Sequence, residues 1–319
     1  MSLLRHAETK VLLVLVLALV VLEGGARMFE TKLSKDVSHI RSLPAVAAEL
    51  KAAPANQLKV LILGNSLSRD GLDKALLKTG LEKLTGRPVH LAAMHPDASN
   101  IGQWFYGYRR YFAQTGAHPD LVILGTGRPH LLDGRSEPDR QAAFYTSLKD
   151  MPLLLKEQQG DVEAISKALV ARASMLFAHR ARVEPLLFYN GIPGYTETTQ
   201  TLSVHREHVT PASEGETADA HHEAAPTCHL FESLLKTFQA GKTRVIVVAI
   251  PMTETYELPE CVEKAVKQAQ MSVVDTGASL QYPPERFPDG YHLDKTGAAQ
   301  FTSQLLEVLG QRPEYLPNK

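Results

Sequence analysis

Four short apolar runs, each closed by a turn-forming residue and followed by a helical pattern, constrain the fold of this chain most. Val60 to Leu63 stops at Gly64-Asn65, Val89 to Ala93 leads into Met94-His-Pro96, Leu121 to Leu124 ends in a glycine-rich turn, and Thr243 to Ile250 stops at Pro251. Runs this short and this apolar suit strands buried on both faces. After the first, Leu72, Ala75, Leu76, Leu81 and Leu84 fall at helical spacing, with Asp70 as the expected N-cap. Further helical patterns span Trp104 to Phe112, Leu230 to Phe238, Glu260 to Gln270 and Thr296 to Leu309, with a short fifth strand at Ser272 to Asp275. Such alternation predicts an α/β fold, a three-layer αβα sandwich around a mostly parallel sheet.

Open α/β sheets carry their chemistry at the C-terminal ends of the strands, where backbone N–H groups can hold a developing oxyanion. Ser66 stands at such an end, in Gly64-Asn65-Ser66-Leu67. By itself it reads as an ordinary turn serine. Near the other end of the chain, Asp289-Gly-Tyr-His292 precedes the last helix. A histidine three residues after an aspartate can donate to the carboxylate from one ring nitrogen and take a proton on the other. Ser66, His292 and Asp289 thus supply a nucleophile, a base and an orienting acid.

These two blocks, in this order, resemble those of the GDSL/SGNH hydrolase superfamily over roughly residues 58 to 310. The resemblance implies a flavodoxin-like SGNH fold, a Ser66-His292-Asp289 triad, and no metal or organic cofactor. It also implies an oxyanion hole built by the loops after the second and third strands. Here the chain departs from the family. No glycine stands at the obvious place in Met94 to Gln103, so a backbone N–H near Ala98 or Ser99, or the Asn100 side chain, would have to substitute. Ser99-Asn100 reads equally as a helix cap. The third block, Gly-x-Asn-Asp in the family, is Gly125-Thr-Gly127-Arg128, so Gly127 and Arg128 become candidates for oxyanion or substrate contact, with an ordinary surface arginine as the alternative. His130 reads as structural.

The N-terminus differs in kind from the rest. Arg5 and Lys10 precede an unbroken apolar run, Val11 to Leu22, of 12 residues. That length suits a signal-peptide core, since a full membrane span takes about 20 residues. Gly24-Gly25-Ala26 offers a cleavage site, whereas Glu23-Gly-Gly-Ala-Arg27 resembles the tail that follows uncleaved anchors in membrane-tethered members of the superfamily. Residues 1–30 are therefore a signal anchor or a signal peptide, and either places the remainder outside the cytoplasm. Residues 31–57, polar and Ala-rich with Pro44 and Pro54, read as a linker with a short helix, 58–310 as the SGNH-like domain, and 311–319 as a tail.

Residues 139–229 are expected as an insertion, helical to about Tyr189 and then a loop from Gly191 to Pro226. The histidines in and beside that loop, His205, His208, His221, His222 and His229, lack the spacing of a metal site, so no metal is expected. Cys228 and Cys261 could pair in an oxidising compartment or remain as two buried thiols. A formal net charge of −1 with 22% charged residues gives no electrostatic footprint for nucleic acid.

The functional expectation is an extracytoplasmic serine hydrolase or O-acyltransferase that forms an acyl-enzyme on Ser66. By the resemblance to proteins of alginate O-acetylation and teichoic-acid D-alanylation, the substrate would be an acylated cell-envelope polysaccharide or a small ester. The partner would be a membrane-bound O-acyltransferase. Two alternatives stand beside it, a secreted carbohydrate esterase and a non-catalytic binding or assembly subunit of a polysaccharide-modifying complex.

Overall fold

The computed structural model describes residues 7–134, 137–180, 227–275 and 281–317. Five parallel strands, β1 (Leu58–Leu63), β2 (Val89–Met94), β3 (Leu121–Thr126), β4 (Arg244–Ala249) and β5 (Ser272–Val274), form one sheet in the order β2-β1-β3-β4-β5. Every residue of β3 is buried, as the continuous apolar run requires of a central strand covered on both faces.

Side chains alternate between two cores. Leu61, Leu63, Val122, Leu124, Val245 and Val247 face one layer, and Val60, Ile62, Leu121, Ile123, Ile246 and Val248 the other. The first layer contains α2 (Lys35–Ala52), α5 (Ile101–Tyr111), α6 (Met151–Glu157), α7 (Val162–Ala173), α9 (His229–Ala240) and α10 (Glu260–Gln268). The second contains α4 (Lys74–Thr85) and α11 (Lys295–Gln311). This is the three-layer sandwich expected. Two shorter helices, α3 (Ser66–Gly71) and α8 (Met175–Ala178), lie at the serine turn and after α7, and α1 (Ala7–Leu33) leads the chain.

Three local expectations are corrected. Residues 31–57 are no linker, because Val37, Ile40, Leu43, Ala47 and Leu50 recur at helical spacing and all are buried on one face of α2. Pro44 sits inside that helix at the cost of one backbone hydrogen bond, which the buried stripe outweighs. The cap of α4 is Asp73, whose carboxylate accepts from Ala75 N and Leu76 N at 3.0 Å each; Asp70 belongs to α3, which Asn65 caps. The C-terminal tail folds back and buries Leu316 in the second core.

Between β3 and β4 the described part of the insertion is helical, in 138–145, α6, α7 and α8. The loop expected at 191–226, with His205, His208, His221 and His222, lies outside the described residues. His229 opens α9, and no cluster of three metal-ligating side chains occurs among the described residues. Cys228 and Cys261 form a disulfide joining the start of α9 to α10. α1 is the one described helix long and apolar enough to cross a membrane, an 18-residue window within Ala7–Lys32 reaching a mean hydropathy of 2.2.

The ends of β1 and β3 meet without side chains. A Cβ on Gly64 would lie 1.9 Å from Ser68 Oγ and 2.5 Å from the Gly125 carbonyl oxygen. Ser68, fully buried, donates to that same carbonyl at 2.8 Å. Gly64→Ala must therefore displace backbone, and urea unfolding should show a loss of about 1–3 kcal/mol. An unchanged midpoint would mean that the strand ends are not packed this closely.

Candidate active site

The order β2-β1-β3 places the reversal of strand order at β1, and β1 delivers Ser66 to the C-terminal edge of the sheet. Asn65 sets the turn. Its side-chain oxygen accepts from Leu67 N at 3.0 Å, capping α3, and its amide donates to the Ser99 carbonyl at 3.1 Å. Ser66 is the first residue of α3, so its backbone N–H has no partner within the helix.

The loop before α11 arrives at the same edge. Ser66 Oγ is 2.8 Å from His292 Nε2, and His292 Nδ1 is 2.7 Å from Asp289 Oδ2. The other oxygen of Asp289 accepts from the backbone N–H of His292 at 2.7 Å and of Tyr291 at 2.9 Å. One carboxylate therefore folds the turn and orients the ring. Gly290 completes it at φ 75°, a conformation that suits glycine. Thr253, in the loop after β4, braces the turn by donating its hydroxyl to the Gly290 carbonyl.

The His292 backbone N–H, then its ring, then the Tyr291 N–H hold the Asp289 carboxyl below the usual carboxylate range. Asp289 is thus an anion at any pH near neutrality. An imidazole held in this way can take a proton from the serine hydroxyl, and the carboxylate favours the cation that results.

The expected oxyanion residues fare differently. Ser99 is buried, donates to the Pro96 carbonyl at 2.7 Å and accepts from Trp104 Nε1 at 2.8 Å. Asn100 forms a capping box at the start of α5, accepting from Gly102 N at 3.0 Å while Gln103 accepts from its backbone N–H at 2.9 Å. The cap reading therefore describes Asn100, while the Ser99 hydroxyl is held by Pro96 and Trp104. Gly127 N–H donates to His130 Nδ1 at 3.2 Å, which also gives His130 its structural role. Arg128 is exposed on the loop after β3.

Ala98 is a further candidate at the backbone level. It adopts φ 48°, the left-handed region that alanine rarely occupies, and its N–H meets no acceptor among the described residues. Its conformation is held from both sides. Arg140 donates to the carbonyls of Ala98 and Asp97, while Asp36 of α2 accepts from Asp97 N at 2.8 Å and pairs with Arg140 at 3.3 Å. Arg69 of α3 adds an ion pair to Asp97. No local pattern announces this clamp, because Asp36 and Arg140 lie 104 residues apart.

Beside the clamp, His95 stacks on His39 with ring centroids 4.6 Å apart, and Lys74 Nζ lies 2.7 Å from His95 Nε2. Burial, followed by the Lys74 charge, pushes His95 down to about 3, so it stays neutral and packs rather than titrates near pH 7.

With this geometry in hand, likeness to known proteins adds little. No family model matches the chain, and no curated protein does either. Among solved structures, Axe2, an acetylxylan esterase from Geobacillus stearothermophilus, and two catalytic mutants of it each align at a TM-score of 0.39 and 10% identity. Each alignment covers 84% of this chain and 100% of theirs. A likeness of that degree carries no functional argument.

The lowered Asp289 pKa has a stability consequence of definite sign. A carboxyl depressed in the folded state contributes stability that is fully present above its unfolded pKa of about 3.9 and is lost as pH falls further. The Tm gap between wild type and Asp289→Asn should therefore persist from pH 7 to about 5 and close only below about 4. A gap that closes between pH 7 and 5 would contradict this account of the loop.

Proposed function

We propose that the protein is a serine-dependent ester hydrolase or O-acyltransferase with Ser66 as nucleophile, His292 as general base and acid, and Asp289 as the residue that orients the ring. The observation that carries the reading is the unbroken relay from Ser66 Oγ to His292 Nε2 at 2.8 Å and from His292 Nδ1 to Asp289 at 2.7 Å. Ser66 Oγ attacks the acyl carbonyl as its proton passes to Nε2. The imidazolium is stabilised by Asp289 and returns the proton to the departing alkoxide. An acyl-enzyme remains. A water, or a sugar hydroxyl, then gives its proton to Nε2 and takes the acyl group, the acyl–Oγ bond breaks, and the imidazolium returns that proton to Ser66 Oγ.

In this scheme the oxyanion is held by the Ser66 N–H at the start of α3 and the Ala98 N–H of the clamped loop, in place of the missing third-block asparagine. Arg140 and Asp36 act through that loop as positioning residues. Gly127 and Arg128 border the same edge, where Arg128 is free to meet substrate. The resemblance read from the sequence supports an acylated polysaccharide outside the cytoplasm as substrate. The Cys228–Cys261 disulfide supports an oxidising compartment. An apolar N-terminal helix is in keeping with a membrane-bound acyl donor as partner. The relay favours a catalyst over a non-catalytic subunit, since a binding role has no use for an imidazole held between a hydroxyl and a carboxylate.

The full-length protein in detergent should be labelled by a fluorophosphonate, and Ser66→Ala should abolish labelling while leaving Tm within a few degrees. Turnover of a small acetyl ester should fall by at least about a hundredfold in His292→Ala. Equal labelling of Ser66→Ala, or no turnover and no labelling of folded wild type, would remove the enzyme reading and leave the binding subunit.

A further inference from the structure

The apolar run Val11 to Leu22 is too short to cross a bilayer, since 12 helical residues rise only about 18 Å against a hydrocarbon core of about 30 Å. The structure resolves this shortfall. α1 continues without a break to Leu33, and its charged residues Glu23, Arg27 and Glu30 recur at helical spacing on one face. That face is fastened to the globular domain. The Glu23 carboxylate accepts from Ser174 Oγ and Met175 N at 2.8 Å and from Leu176 N at 3.0 Å, and pairs with Arg27 at 2.8 Å. Arg27 donates to the Ala173 carbonyl at 3.0 Å, and Glu30 pairs with Arg41 of α2 at 2.6 Å.

Away from that face the helix stays apolar, with Met28 70% and Phe29 45% exposed. Counted on its outward side, the apolar surface runs from residue 11 to residue 29, a length of about 28 Å. A span of that length puts the fastened corner, the end of α7 with α8, at the level of the lipid headgroups. Outside α1, the exposed large apolar side chains among the described residues all fall within 148–170: Leu148, Leu153, Val162, Leu169 and Val170. Leu169 and Val170 lie one turn from Ala173, the residue that receives Arg27. Val162, Ser166, Leu169 and Ala173 follow one another at intervals of four, three and four, a single stripe on α7.

We propose that α7 and the adjoining α6 segment rest in the interface of a lipid bilayer, so that the domain completes the membrane span by binding Glu23 and Glu30 and tethering the half-exposed Arg27 of α1, while its exposed Val162, Leu169 and Val170 meet lipid. The surface begins one turn from Ala173, where Arg27 of α1 is bonded, and this adjacency to an apolar helix argues for a lipid bilayer as its occupant. Exposed Lys149 and Lys156 beside it suit lipid phosphates. The inference rests on α1 being a retained membrane helix.

Both native thiols are held in the disulfide, so single introduced cysteines can be labelled selectively in the full-length protein. Leu169→Cys, Met28→Cys, Leu15→Cys and Lys236→Cys would carry an environment-sensitive fluorophore in phosphatidylcholine–phosphatidylglycerol vesicles, with a nitroxide lipid and aqueous iodide as quenchers. Labels at 169 and 28 should be quenched by the nitroxide lipid at least threefold more than the label at 236, which iodide alone should reach. A label at 169 that behaves like the one at 236 overturns the proposal, as does one shielded from both quenchers, which would indicate a protein partner on this face. If 15 is quenched and 169 is not, the anchor stands without the docked domain; if 15 also escapes, the membrane reading of α1 fails with it.

Discussion

The close approach of β1 and β3 at Gly64, Ser68 and Gly125 is the constraint on which the site depends. Parallel strands hold their ends at one level, and here the gap between two of them is filled by a buried hydroxyl bonded to a carbonyl. Any side chain at Gly64 would lift the turn that presents Ser66. The serine is thus aimed by backbone contact at the least compliant part of the molecule, as a group that must meet an imidazole at hydrogen-bond distance requires. Its partner is set differently. His292 comes from a loop whose shape is fixed by the same carboxylate that holds its ring, so position and orientation have a common cause.

The fold was largely legible in the sequence because its signal is local. Short apolar runs closed by turn residues read as strands, and all four appeared with boundaries close to those expected, three inside the sheet and the half-buried β2 at its edge. Ser66, Asp289 and His292 could be singled out because each block folds locally, and because their order along the chain matched a known pattern. The structure then brings them within hydrogen-bond distance of one another.

What escaped the sequence depends on contacts between distant residues. The buried stripe of α2 is diluted by alanines and crossed by Pro44, so its helical period was weak until the sheet supplied something to pack against. The left-handed turn at Ala98 has no glycine to announce it, being enforced by Arg140 and Asp36 from two other elements. Ser99 and Asn100 illustrate the converse. As polar residues in the right loop they invited a catalytic reading, but a helix start and a buried indole N–H claimed their side chains.

The Cys228–Cys261 disulfide joins residues 33 apart and closes a ring that contains all of α9, all of β4 and the segment carrying Thr253. Thr253 is the group that bonds the Gly290 carbonyl beside His292. The brace of the histidine loop therefore belongs to a covalent macrocycle rather than to an open length of chain. When β4 and its flanking helices breathe, the ends of that unit cannot separate, and the excursions open to Thr253 shrink accordingly. A cystine far from the serine in sequence thereby limits how often the base can drift from the nucleophile.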